Sequence, residues 1–173
     1  MEDRTTPITV SLPIYLDIAL PALAFAIPFF VSGPQWLTGT AVNTLLYLVA
    51  LTNRPQRVWI GVSLLPSLAA FSHGLVFGPA TFFLIYFLPV IWVGNYIMMK
   101  TFSGCPARFN NPARLLLSAA AKAGLLFISA LFYYQLKLVP PAFLTAMGII
   151  QLATAIAGGI LAFQVTTATN HHE

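Results

Sequence analysis

Lys122 stands in an otherwise almost wholly apolar run from Leu115 to Tyr134. In lipid, a lysine near the middle of a helix costs roughly 2.5 to over 10 kcal/mol. Such a residue needs a cavity or a partner. Facing a pocket, it can hold a carboxylate or a phosphate. Facing away, it snorkels along its aliphatic stem, with Ala119, Ala120, Ala121 and Ala123 leaving room. Three amides, Asn43, Asn95 and Gln151, fall in other apolar segments, where they either bond between helices or line a cavity. Gln35, Trp36 and His73 fall at segment ends, where they can close over a small ligand; a tryptophan there also serves as an interfacial anchor. Lys122, Gln35, Trp36, His73, Asn95 and Asn43 are therefore the candidate substrate-binding residues.

Asp17 is the only acidic residue inside an apolar segment. Three roles are open to it: pairing with Lys122, complementing the start of its helix, or meeting a partner subunit. Ala22 and Ala26 form a small-xxx-small pair on the same segment. This allows close approach of another helix, within the bundle or from a docking partner.

The chain lacks a nucleophile–base pair, paired carboxylates, a Walker loop and a dinucleotide fingerprint. An enzyme is not expected, and an ATPase in this chain is excluded. Cys105 is the single cysteine, and His73, His171 and His172 are too scattered for a zinc site. No metal, haem or other cofactor is expected. The net charge of +4 comes from residues at segment ends, which report topology and not nucleic-acid binding.

The elements that must position these groups are read from composition. Only 7% of the 173 residues are charged and 58% are hydrophobic, against about 25% charged in a soluble domain. Mean hydropathy is +0.84. The expected solvent is a lipid bilayer, and the expected fold is an all-α integral membrane bundle, multi-pass in the cell membrane. A span needs about 20 mostly apolar residues, so the chain has room for about six. The start, Met1 to Arg4, lacks the basic region of a signal peptide, so the first apolar segment is expected to remain as a helix.

Turn residues divide the chain into a cytoplasmic segment 1–11, a bundle 12–165 and a polar, frayed tail 166–173. Within the bundle the predicted helices run Leu12–Val31, Trp36–Leu51, Val58–Phe71, Ala80–Met99, Pro112–Tyr134 and Pro141–Val165. The stretch Leu75–Pro79 reads as a loop able to dip back into the bilayer. Pro21, Pro28, Pro66 and Pro89 fall inside helices, where each removes a backbone hydrogen bond and kinks its helix. The third helix is short and interrupted by Pro66, which leaves five spans as the alternative. Arg4, Arg54, Arg57, Lys100, Arg108 and Arg114 gather in the N-terminal segment and in or beside loops 2 and 4, against Lys137 alone on the other side. The positive-inside rule then puts both termini in the cytoplasm.

Several stretches together resemble the substrate-binding S components of energy-coupling-factor (ECF) vitamin transporters. The length and the six-helix count are similar. Ala22 and Ala26 resemble the alanine pair through which family members dock on their transmembrane coupling subunit. Arg57-Val58-Trp59-Ile60-Gly61-Val62-Ser63-Leu64-Leu65-Pro66-Ser67, leading to Phe71-Ser72-His73-Gly74 and then Gly78-Pro79, is similar to the course of family helices 2 to 4. Gly94-Asn95 resembles a step that recurs in helix 4. The resemblance implies a bundle that binds a vitamin or other micronutrient near the outer surface, closed by loops 1 and 3. It also implies a coupling subunit with ATPases that topples the bundle to release the ligand inward. Lys122 in the pocket favours an acidic ligand, and Trp36, Tyr86, Trp92 and Tyr96 offer rings for stacking. The alternative is a non-transporting anchor or assembly subunit of a larger complex.

Overall fold

A computed structural model describes residues 14–31, 34–52, 54–73, 78–106 and 109–170. Among them the chain is all-helical: α1 (Leu16–Phe30), α2 (Gln35–Leu51), α3 (Gln56–His73), a 3-10 segment (Gly78–Tyr86), α4 (Leu88–Gly104), α5 (Asn111–Gln135), α6 (Ala142–Met147) and α7 (Ile149–Asn170). The expected segment 1–11 lies outside the described residues, as do Leu12, Pro13 and most of the expected dipping loop, residues 75–77. Among the described residues two stretches, Asn111–Gln135 and Ala142–Ala168, are long and apolar enough to cross a membrane.

Three departures from the sequence reading have local causes. The fourth helix begins at Leu88 and not at Ala80, because Pro89 occupies its first turn, where a missing N–H costs nothing. Pro89 therefore starts a helix and does not kink one. The chain ahead of it winds as the 3-10 segment. The sixth predicted helix is split at Gly148, whose φ of −97° and ψ of −99° leave the helical region. A Cβ there would meet Leu144 O at 2.8 Å and Phe127 Cδ2 at 2.9 Å, so glycine is what fits. Finally, Thr166 to Asn170 continue α7 and do not fray. Pro21 and Pro28 in α1, and Pro66 in α3, lie inside helices as expected.

The strongest packing joins α1 to α3, α2 to α7 and α4 to α5. The first two pairs run parallel. Gly61 of α3 lies against Pro21 of α1. On α7, Gly158 lies so close to α2 that a Cβ would sit 2.7 Å from Asn43 Cβ and 2.8 Å from Thr44 N. The α4–α5 pair is antiparallel. Arg114, at the start of α5, donates from Nη2 and Nε to Phe102 O near the end of α4, at 2.8 and 3.2 Å. Those bonds serve a carbonyl that the helix end would otherwise leave open. α5 stops in a Schellman turn: Leu138 N donates to Tyr133 O and Lys137 N to Tyr134 O, both at 2.9 Å, with Lys137 at φ 58°.

The interior has two apolar clusters. One surrounds Leu46, Tyr47, Met98, Met99 and Phe102. The other surrounds Phe87, Leu126, Phe143 and Met147, with the Phe87 and Phe143 rings stacked at 5.2 Å. The surface is apolar as well. Ile18, Phe30, Trp36, Ile128, Phe132 and Ile149 all lie exposed.

Candidate functional site

The site is built on one helix face. On α5 the buried residues are Leu115, Ser118, Ala119, Lys122, Ala123, Leu126 and Ala130, a stripe of helical period. Lys122 therefore points into the bundle and is 3% exposed. It does not snorkel: its Nζ donates to Asn43 Oδ1 at 2.6 Å. Asn43 is placed by the α2–α7 approach at Gly158. Its Nδ2 donates to Thr154 Oγ1 at 3.2 Å, and Thr154 Oγ1 donates to Gln151 O at 3.2 Å. The chain of donors runs one way from the lysine to the backbone of α7, which fixes the orientation of the Asn43 amide.

Asn95 sits across from this chain on α4 and is 1% exposed. Its Nδ2 donates to Ser63 O at 3.0 Å. Ser63 lies in the turn that Pro66 disturbs, since Pro66 has no N–H to donate. Asn95 Oδ1 is buried and has no hydrogen-bond partner among the described residues. Nearby, Trp92 Nε1 donates to Ser67 Oγ at 2.8 Å, and Ser67 Oγ donates to Leu64 O at 3.0 Å. Ser63 and Ser67, on either side of Pro66, thus meet Asn95 and Trp92 of α4 around one spot.

Lys122, Asn43, Asn95, Gln35, Ser67 and Gln151 line one cavity of about 100 Å³, with apolar walls from residues such as Val42, Leu84 and Met147. It lies where α1 and α3 end and where α2, α4 and α7 begin. Gln35 closes part of its rim by donating from Nε2 to Ala146 O of α6 at 3.2 Å. A wider depression of about 510 Å³ lies by the α5–α6 turn, around Phe83, Tyr134 and Lys137. It is lined mainly by turn residues, whereas the smaller cavity has buried polar groups brought together by four helices.

The other sequence candidates fall elsewhere. Trp36 is 61% exposed and does not line the cavity. His73 closes α3, and its side chain lies outside the described residues. Ala22 is exposed and Ala26 half-buried on the outer side of α1. Asp17 does not reach Lys122. It accepts from Arg54 Nη1 at 3.1 Å and from Arg57 Nη2 at 3.5 Å, at the opposite end of the bundle. Lys100 Nζ lies there too, 4.7 Å from the centre of the Trp59 ring. Sequence reasoning missed Thr38, Ser67 and Thr154. The pair Gly158-Gly159 was the available sign that α7 comes close to a neighbour; Gly159 has Leu115 Cδ1 where a Cβ would be, with Tyr47 beside it.

Among the described residues no group of histidine, cysteine and carboxylate side chains could hold a metal. The cavity offers hydrogen-bond donors, one open acceptor and one cation. That is equipment for holding a polar ligand in an apolar surround. Compared with protein-family models, curated proteins and solved structures, the chain has no match.

Proposed function

We propose that this chain is a multi-pass membrane bundle of about six spans that binds a small micronutrient, as the substrate-binding subunit of an ECF-type uptake transporter. The exposed apolar side chains on nearly every helix support a lipid surround. Arg54, Arg57, Lys100 and Arg114 gather at one end, which the positive-inside rule assigns to the cytoplasm. The cavity lies toward the other end and so opens to the outside, as uptake requires. One observation carries the reading. A buried lysine and a buried, unpartnered amide oxygen line the same cavity. Both groups are expensive to bury without a ligand to answer them.

In this mechanism the ligand enters between the start of α2 and α6, where Gln35 and Ala146 meet. Lys122 and Asn95 hold it. The outward alanines of α1, Ala22 and Ala26, are the docking face for a transmembrane coupling subunit whose ATPases drive release.

The test is native mass spectrometry of the protein in mild detergent, beside Lys122→Met. A small molecule retained by the wild type and lost from the variant is the expected result. An empty wild type whose variant is equally well folded overturns the reading. The anchor or assembly subunit then leads, which the small cavity and the Lys122–Asn43 tie between α5 and α2 already favour as the second reading.

A further inference from the structure

We infer that the cavity takes a compact carboxylate carrying an adjacent O–H or N–H, with the carboxylate on Lys122 and the donor on Asn95. This inference rests on the binding-subunit reading and names the chemistry of its ligand. As an ammonium, Lys122 has three N–H donors and no acceptor. Asn43 Oδ1 takes one of them. No carboxylate of the described residues pairs with it: Asp17 is engaged by Arg54 and Arg57 at the far end. A buried cation without a counter-charge is the costly case, and a ligand carboxylate supplies that charge with charge-assisted hydrogen bonds.

Asn95 sets the second requirement. Its amide cannot turn over, because Nδ2 donates to Ser63 O and an oxygen there would face an oxygen. Oδ1 is thereby fixed as an acceptor with no donor among the described residues. A simple carboxylate, which only accepts, leaves it unanswered; a ligand O–H or N–H satisfies it. Volume sets the third requirement. A cavity of about 150 Å³ takes a benzene ring. The 100 Å³ here therefore suits roughly four or five heavy atoms, which is a carboxylate, one carbon and a donor.

The experiment uses the full chain in lipid nanodiscs and three probes: sodium glycolate, sodium acetate and glycolamide. Glycolate has both features, acetate lacks the donor, and glycolamide lacks the charge. Binding is titrated by saturation-transfer NMR. Glycolate is expected to bind about tenfold more tightly than glycolamide, the worth of one hydrogen bond to a charged group, and about tenfold more tightly than acetate, the cost of leaving the buried Asn95 Oδ1 unanswered. Lys122→Met should bring glycolate down to the level of glycolamide. Asn95→Leu should bring it down to the level of acetate. The wild-type comparison stands even where a variant fails to fold.

Glycolamide binding as well as glycolate overturns the carboxylate assignment, and acetate binding as well as glycolate overturns the role of Asn95. Should no probe bind while a neutral molecule co-purifies and is lost in Lys122→Met, the head-group assignment falls and the binding-subunit reading stands. Should no probe bind and nothing co-purify, both fall.

Discussion

Arg54 and Lys122 are both buried cations, at opposite ends of one bundle. Arg54 has a carboxylate: its side chain is 6% exposed, and Asp17, 10% exposed, accepts from it at 3.1 Å. Lys122 has an amide: Asn43 Oδ1 accepts at 2.6 Å. Around Arg54, the other cations also have uses within the fold. Arg114 serves the carbonyl of Phe102 and Lys100 rests on Trp59. Around Lys122, an amide oxygen of Asn95 is left over. The difference teaches that the basic end joins its helices through a charge pair, whereas the cavity end leaves its cation on a neutral amide, which is where the charge of the proposed ligand would fit.

Substitutions at the two ends should then differ in size. Asp17→Asn keeps the shape but leaves Arg54 buried without its carboxylate. It should lower stability by about 3 kcal/mol, the cost of breaking a buried pair from one side, seen as a large drop in unfolding temperature in detergent. Gly158→Ala adds a Cβ 2.7 Å from Asn43 Cβ. It should cost about 1–3 kcal/mol by overpacking and weaken ligand retention by shifting Asn43. Lys122→Met removes the cation and leaves Asn43 Oδ1 without its donor. It should lower stability by about 1–2 kcal/mol, the cost of one buried unsatisfied acceptor, while ligand is lost. A fall as deep as that of Asp17→Asn would erase the contrast. Gln35→Ala removes the bond to Ala146 O. It should cost no more than about 1 kcal/mol and show mainly as faster ligand release in a stopped-flow or exchange measurement.

The apolar segments were readable because hydropathy and helix breakers act locally. Gln35 to Leu51 and Asn111 to Gln135 fall within one residue of the predicted bounds. Pro89 was read as a kink because its position relative to the true start of α4 depends on how Gly78 to Tyr86 winds. The break at Gly148 depends on Phe127, which belongs to another helix. Lys122 was ambiguous for the same reason. The alanines around Lys122 allowed it to snorkel or to face inward, and which of the two holds was decided by Asn43 on α2, which stands opposite as an acceptor. Asp17 could not be matched to Arg54 from spacing alone, since the parallel run of α1 and α3 brings them together. The alanines of α1 were identified as small, but only packing decides that Ala22 faces outward.

The six residues of α6 are too few to form a stable helix by themselves, since nucleation is costly and short helices are marginal. Gly148 sets them off from the 22 residues of α7 by its non-helical dihedrals, although Gly148 N still donates to Leu144 O and Leu152 N to Gly148 O. What keeps α6 folded is its contact with the rest of the molecule: Phe143 on Phe87, and Ala146 O on Gln35. Such a piece opens as a unit, below the free energy of global unfolding. In hydrogen–deuterium exchange the amides of α6 should therefore label together and ahead of those of α7. Filling the cavity should slow them first. The least stable turn of the bundle would then be the one that reports occupancy, and the time a ligand stays would be set by how often those six residues let go.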